Sequence, residues 1–335
     1  MAGLLAVLFV VVAACGPRVG EGEASEGAAG ASVVRDAAER TSELATGRLR
    51  ATVAVEAVGE GGGPTEVMVV DTAFDTGADR SSVTTTLDPS AMAAVIGEDL
   101  WGEATDGGEL PGIDGFLDEP LTTVVDGDVV YNQVPAALLG RDGGGTVWVR
   151  VDGAFSDLFG AVGPGGGGAM VGVDQEVLEA LEAVTEPVVD SGTEVVDGVE
   201  TTRYEGDLDL REAAELVGED VTGEDAAVHL DGLTSAYVVW IDADGLVRRA
   251  EVVLEGLDGA SFATSPDAGA ARELRLAVTM SFSDLGRPVA IEVPPADEVV
   301  TMADLFAGMA GEEGFAELGD VFGALHEADA EPAGS

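Results

Sequence analysis

Apolar and polar residues alternate along much of the chain, and this period of two predicts β-strands. Residues 272–284 are the clearest case, because every second residue is apolar and those between are charged, polar or small. The apolar residues are Leu274, Leu276, Val278, Met280 and Phe282. Successive side chains of a strand point to opposite faces, so one face of this strand is expected to be dry and the other wet. Strand-like segments also cover 49–57, 65–75, 80–88, 122–134, 145–151, 201–210 and 238–254.

Helical spacing is found in fewer places. Apolar residues between Ser32 and Leu44 recur at the spacing of an amphipathic helix, which Gly47 is expected to end. Asp174 can cap a second helix. Its apolar side carries Val177, Leu178, Leu181 and Val184. A tight Asp/Gly connection over 242–245 predicts a hairpin, and the tail after Pro295 again shows helical spacing. The pattern therefore predicts many strands, mostly antiparallel, accompanied by two or three helices.

The first fifteen residues form an apolar run that ends in the only cysteine. A run of this length is typical of a signal peptide and is shorter than the ~20 residues that cross a bilayer. Its end, "VAAC", resembles the bacterial lipobox, which implies that Cys15 receives a diacylglyceryl group and becomes the mature N-terminus. A plain secretory signal and a free buried cysteine are the alternatives. Residues 16–31, rich in Gly, Ala and Glu, are expected to form a flexible tether.

Composition and charge disfavour two classes of binding partner. The 335 residues are 46% apolar, which is sufficient for a sizeable core, and they include 64 acidic residues against 15 basic ones, giving a net charge of −49. Such a field repels phosphate backbones and anionic headgroups, so nucleic-acid binding and electrostatic docking on a membrane are disfavoured. An acidic surface without lysine fits a salty environment, where screening weakens self-repulsion.

Three stretches carry a family resemblance: "VVDGVETTRYEGDLDL" at 195–210, "VVWIDADGLVRRAEVVL" at 238–254 and "MSFSDLGRPVAIEVPPADEVV" at 280–300. With the lipobox and "GTVWVRV", they resemble the LppX/LprG-type cell-envelope lipoproteins, whose fold is similar to that of the lipoprotein carrier LolA. The resemblance implies an α+β fold in which helices cover the concave face of a strongly curved antiparallel sheet, a half-barrel, around an apolar cavity. It also implies binding of the acyl chains of an envelope lipid or lipoglycan. Insertions near 102–119 and 163–168 and the C-terminal extension depart from the family pattern.

This resemblance gives a domain scheme and a set of candidate residues. We expect a lipoprotein signal over 1–15, the tether over 16–31, a LolA-like lipid-binding domain over 32–300 and an acidic Ala/Gly-rich extension over 301–335. Strand residues that are candidates for the cavity lining are Val67, Val69, Leu276, Val278 and Met280. Packing in a solid core explains each of these residues equally well.

One motif points to a different chemistry. The string Asp75-Thr76-Gly77 is the one by which aspartic proteases present a catalytic carboxylate, but that mechanism needs two opposed aspartates. A strand end and its turn, where Asp and Gly are favoured, explain the string without catalysis. His229 and His326 are expected to be structural or surface residues, and the sequence gives no sign of a cofactor or metal site.

The leading hypothesis is thus a non-catalytic, extracytoplasmic lipid carrier held at the cell membrane by its lipid anchor. It shelters acyl chains in an apolar cavity, and its transport partner is not identified by the sequence. The alternatives are an envelope adaptor that binds a partner protein and, more remotely, an aspartic protease.

Overall fold

The computed structural model describes residues 26–59, 63–96, 120–136, 145–152, 181–185, 187–216, 233–258 and 273–301. The helices are α1 (Glu26–Ser42), α2 (Pro89–Ile96) and α3 (Leu210–Leu216), with a 3₁₀ helix at Leu181–Ala183. The strands are β1 (Thr46–Ala57), β2 (Thr65–Asp75), β3 (Arg80–Leu87), β4 (Leu121–Asp126), β5 (Val129–Pro135), β6 (Thr146–Asp152), β7 (Val189–Val196), β8 (Val199–Gly206), β9 (Thr234–Asp242), β10 (Val247–Asp258), β11 (Glu273–Ser283) and β12 (Val299–Thr301).

All twelve strands belong to one sheet, in the order β12-β6-β5-β4-β3-β2-β1-β11-β10-β9-β8-β7. Every described neighbour pair is antiparallel except β12 with β6. The order is linear, so β12 and β7 are the edges and the sheet is not closed. The predicted fold class, an α+β half-barrel with a curved antiparallel sheet and helices over its concave face, is confirmed.

Strand β11 defines the two faces of the sheet. Leu274, Leu276, Val278, Met280 and Phe282 are all at most 3% exposed, as their alternation predicts. We call the face that they occupy the inner face and the opposite one the outer face. Directly paired residues share a face, so Val53 of β1 and Val252 of β10, both paired with Val278, extend the inner face to each side.

Helix α1 packs on the inner face and begins earlier than the sequence predicts. It starts at Glu26, so residues 26–31, expected as the end of the tether, are helical, and Ala31 is fully buried. Polar contacts at the helix fix its position: Arg35 donates to the Val184 carbonyl (2.8 Å) and Arg40 donates to the Asp244 carbonyl (2.9 Å).

Strand β2 contains an irregularity that the period of two does not predict. Its register against β1 shifts between Val53 and Ala54, so two residues of β2 face one of β1 at this bulge. Val67 consequently joins the core on the inner face. Val69 pairs with Thr52 and therefore lies on the outer face.

The predicted hairpin at 242–245 connects β9 to β10. Gly245 there has a φ of +75°, a conformation that glycine adopts readily. Asp242 is buried: its Oδ1 accepts from the backbone N–H groups of Asp244 and Leu246, and its Oδ2 accepts from Arg248 at 2.6 Å. Its carboxylate thus organises the turn from inside the protein.

One predicted strand is shorter in the structure, and two other predicted elements fall outside the described residues. The strand predicted over 201–210 ends at Gly206, and helix α3 begins at Leu210. Asp209 caps that helix, since its Oδ1 accepts from the N–H of Glu212. The helix predicted from Asp174 and the tail after 301 lie outside the described residues, apart from the 3₁₀ turn.

Candidate functional site

The inner face divides into two parts of different character. The central part is the inner face of β1, β9, β10 and β11. It holds most of the largest fully buried side chains of the described strands: Tyr237, Leu49, Leu254, Leu274, Leu276 and Met280. The flanking part is the inner face of β2 to β6, where smaller and more polar side chains prevail.

Helix α1 covers the central part through small side chains. Ala31, Val34, Ala37 and Ala38 are each at most 2% exposed and belong to the same core cluster as the strands beneath them. Thr41 continues this stripe; its hydroxyl donates to the Ala37 carbonyl and accepts from the Val247 N–H at 2.9 Å. Small residues let a helix approach a sheet closely, so the central part is filled by the protein's own packing.

The flanking part begins with a row of paired residues that runs across the sheet. Pairing places the residues of this row side by side from β1 to β6, in the order Leu49, Thr72, Val83, Thr123, Asn132 and Val149. Adjacent rows add Ser81 and Thr85. Polar residues thus interrupt an otherwise apolar inner face on four successive strands.

The hydroxyls of this part differ in their hydrogen bonding. Thr123 donates to Asn132 Oδ1 at 2.8 Å. By contrast, Thr72 Oγ1 and Ser81 Oγ are buried without a hydrogen-bond partner among the described residues. Buried polar groups in native proteins are nearly always paired, so two neighbouring exceptions on one face mark this position as unusual.

Exposure also separates the two parts. Inner-face apolar residues of β4, β5 and the start of β6 are only half-buried, whereas most of the equivalent residues of β1, β10 and β11 are buried, as are Val149 and Val151 farther along β6. The half-buried set is Leu121, Val125, Val130, Val134 and Val147. Among the described inner-face residues of β2 to β6, none is charged. The flanking part therefore offers an uncharged, incompletely covered apolar surface.

The five residues predicted to line a cavity are not all brought together. Leu276, Val278, Met280 and Val67 belong to one buried cluster, which lies under α1 and α2. Val69 is buried on the outer face and is not part of that cluster. Whether any of the five lines a cavity stays a prediction. The flanking residues escaped sequence reasoning because both faces of β3 carry hydroxyls, so alternation did not identify the inner one.

Within the described part of the chain, Tyr237 is a third buried hydroxyl without a hydrogen-bond partner. It pairs across the sheet with Gly206, where a Cβ atom would lie 2.9 Å from the phenol oxygen, so only glycine fits there without a shift. Burial raises the pKa of Tyr237 well above its ordinary value; Arg35 opposes this effect and Asp207 adds to it. The phenol therefore stays neutral throughout the physiological pH range.

The Asp-Thr-Gly string lies at the end of β2 and in the turn that leads to β3, as predicted from its turn chemistry. The carboxylate of Asp75 accepts from the Ala78 N–H at 3.0 Å, and the Thr76 N–H donates to the Ala45 carbonyl. Asp79 completes the turn with a φ of +54°. These contacts give Asp75 a structural role in the hairpin.

Other candidate groups lie outside the described ranges or form no site within them. Cys15, His229 and His326 are not among the described residues. Over the described residues, no three His, Cys, Asp or Glu side chains are grouped so that they could hold a metal ion. None of the described helices has the length and apolar character that crossing a bilayer requires.

The outer face carries the protein's aromatic–cation contacts. Trp240 pairs with Arg203 on β8 and with Arg249 on β10, whose guanidinium carbons lie 5.7 and 4.9 Å from the ring centre. The indole N–H donates to Glu194 Oε2 at 2.8 Å. This wet face is therefore cross-linked by side chains and differs in chemistry from the inner one.

The chain is similar to the LprF and LppX lipoproteins. LprF from Mycobacterium bovis is 14% identical, with 80% of this chain and 98% of LprF covered and a TM-score of 0.42. LppX from Mycobacterium tuberculosis is 16% identical, with 79% and 98% covered and a TM-score of 0.37. A LolA superfamily protein from Nitrosomonas europaea is 9% identical, with 78% and 94% covered and a TM-score of 0.24.

No protein-family model and no curated protein sequence matches the chain. The solved structures that it does match include two lipoproteins of the type that its sequence resembles, as predicted.

Proposed function

We propose that this protein is a non-catalytic lipid carrier that shelters acyl chains of an envelope lipid against the flanking part of its inner face. The observation that carries the proposal is the uncharged, half-buried apolar surface of β4, β5 and the start of β6, which lies on the same face of the sheet as the buried core. Each acyl methylene that moves from water onto such a surface contributes about 0.8 kcal/mol. The central part, filled by α1, supplies the rigid wall beside it.

The proposed location rests on the lipobox-like residues that end at Cys15. We place the protein on the extracytoplasmic face of the cell membrane, anchored through a lipid on Cys15. The charge of −49 disfavours adsorption on anionic headgroups. A covalent anchor keeps such an acidic body close to its lipid source where electrostatic attraction does not.

Recovery of lipid tests the proposal. The full chain is expressed in a membrane-bearing host and examined by native mass spectrometry and solvent extraction. Wild-type protein is expected to carry lipid in addition to its anchor, and Val130→Asp on the inner face is expected to lose it. Val129→Asp is the matched control, because Val129 is the neighbouring half-buried residue on the outer face. Absence of lipid, or equal lipid in both variants, contradicts the proposal.

One observation favours the alternative of an envelope adaptor. Edge strand β7 exposes two large apolar side chains, Val189 at 54% and Val195 at 65%. An adaptor using this edge would lose a partner protein on Val195→Asp while its lipid content stayed unchanged. Cross-linking in the native host, with the captured partner and the lipid content compared between wild type and Val195→Asp, separates these functions.

A further inference from the structure

The strongest unexplained feature of the inner face is the pair of unpartnered hydroxyls on β2 and β3. We propose that Thr72 and Ser81 form a binding position for the ester group of an acyl lipid, each hydroxyl donating to a carbonyl oxygen. This inference rests on the proposed lipid-carrier function and adds the chemical class of the bound headgroup region to it.

The register brings the two side chains to the same place. Thr72 pairs with Val83 and Phe74 pairs with Ser81, so Thr72 and Ser81 are diagonal neighbours on adjacent strands of one face. Diagonal neighbours in an antiparallel pair lie about 7 Å apart. Two donors at this spacing can engage one ester, or two esters on adjacent carbons of a glycerol.

Hydrogen bonding elsewhere in the chain shows that the fold normally satisfies such groups. The Ser235 hydroxyl donates to the Leu208 carbonyl at 2.7 Å, and that of Thr201 donates to the Glu194 carbonyl at 2.8 Å. Leaving a buried hydroxyl unpaired is unfavourable. Thr72 and Ser81, exposed by only 3% and 6%, both carry this cost at one location. A ligand acceptor removes it for both at once.

The surroundings select a neutral ligand group. The described inner-face residues of β2 to β6 include no Arg, Lys or His, so a phosphate or carboxylate would lack a counter-charge. An ester carbonyl is uncharged and accepts without donating, which suits two hydroxyl donors. The half-buried valines of β4 and β5 lie next to Ser81 on the same face, in position to contact the chain that the ester carries.

A pair of lipids that differ only at the carbonyls tests this assignment. The probes are 1,2-dipalmitoylglycerol and its ether analogue 1,2-dihexadecylglycerol, and affinity is measured by displacement of a fluorescent fatty acid from delipidated full-length protein. Wild type is expected to prefer the ester. Thr72→Val and Ser81→Ala are each expected to weaken ester binding about 3- to 10-fold and to leave ether binding unchanged. Ser82→Ala, on the outer face of the same strand, is the control.

Each outcome is informative. An unchanged ratio of ester to ether affinity in the double variant overturns the ester position while leaving the carrier function intact. Failure of wild type to bind either probe overturns both. Loss of folding is not expected, because each variant removes an unpaired buried hydroxyl and the denaturation midpoint is expected to hold or rise. A marked fall of that midpoint would show that the hydroxyls do form hydrogen bonds within the protein, and it overturns the assignment.

Discussion

The central and flanking parts of the inner face are made from adjacent strands of one sheet, but they use their apolar residues differently. In the central part, Leu276, Met280 and Tyr237 belong to the same buried cluster as the small side chains of α1 and are sealed from water. In the flanking part, valines and hydroxyl residues share the face and several remain half-exposed. Alternation alone thus produces a dry face, but the helix above decides whether that face becomes core or remains available to a ligand.

The largest difference between the two parts is expected from truncation of a leucine. Leu276→Ala in the central part is expected to lower the free energy of unfolding by about 2–5 kcal/mol, because it leaves a cavity in close-packed surroundings. Leu121→Ala in the flanking part is the matched control and is expected to cost less than half as much, since Leu121 is only half-buried. Chemical denaturation measures both. Equal losses would show that the flanking part is packed core as well.

A second test removes the hydroxyl that links α1 to the sheet. Thr41→Val leaves the buried Val247 N–H without its acceptor and is expected to cost about 1–3 kcal/mol. Thr41→Ser keeps the acceptor and serves as the control, with a loss of less than half that size expected. If both variants unfold at the same denaturant concentration, the hydrogen bond does not hold the helix.

The exclusion of water from the central part is also expected to affect the stability of the protein in alkaline solution. A phenol whose pKa is raised in the folded protein releases its proton more readily when unfolded. Tyr237 therefore has no pH-dependent effect on stability below its unfolded pKa near 10, and stability is lost as the pH rises above that value. The slope per group reaches at most about 1.4 kcal/mol per pH unit.

Tyr237→Phe is expected to remove this contribution while leaving stability at pH 7 equal or higher, because no described residue forms a hydrogen bond with this hydroxyl. Equilibrium unfolding at several pH values from 8 to 11 measures the slope. A slope identical to that of wild type would show that water reaches the phenol. Burial also raises the pKa of Tyr204, with Asp190 adding to the shift, so part of the slope is expected to remain.

The smallest effect is expected in the flanking part. Thr123→Val removes the hydrogen bond to Asn132, but the half-buried amide can turn toward water, so a loss of about 0.5 kcal/mol is expected. Thr41→Val is the same chemical change in the central part. The ratio of the two losses in the free energy of unfolding therefore compares the two parts directly. A loss at position 123 as large as that at position 41 would remove the distinction drawn above.

Much of the sheet could be predicted from the sequence because alternation survives wherever one face is buried. Strand β11 was placed this way, and the turn between β9 and β10 was placed by its Asp and Gly residues. The β2 bulge could not be predicted, since one extra residue reverses which side chains face inward without changing their hydrophobicity. That reversal is why Val67 lies on the inner face and Val69 on the outer face.

The candidate binding position was harder to predict than the fold. Thr72 and Ser81 occur among many Thr, Ser and Asp residues, so nothing local marks them; their unpaired state depends on which residues of other strands lie beside them. The start of α1 was also missed. The Gly- and Ala-rich residues 26–31 resemble a linker, and composition does not reveal the burial of Ala31, which stabilises this part of the helix.

The position of β1 in the sheet has a consequence for biosynthesis. This strand emerges early from the ribosome, but one of its two neighbours, β11, follows roughly 220 residues later, a wait of about 10–45 s at ordinary elongation rates. Until then one edge of β1 has no native partner, and α1 lacks the hairpin between β9 and β10 that holds it in place. The nascent polypeptide therefore completes the centre of its sheet late, which favours folding after synthesis over folding during it.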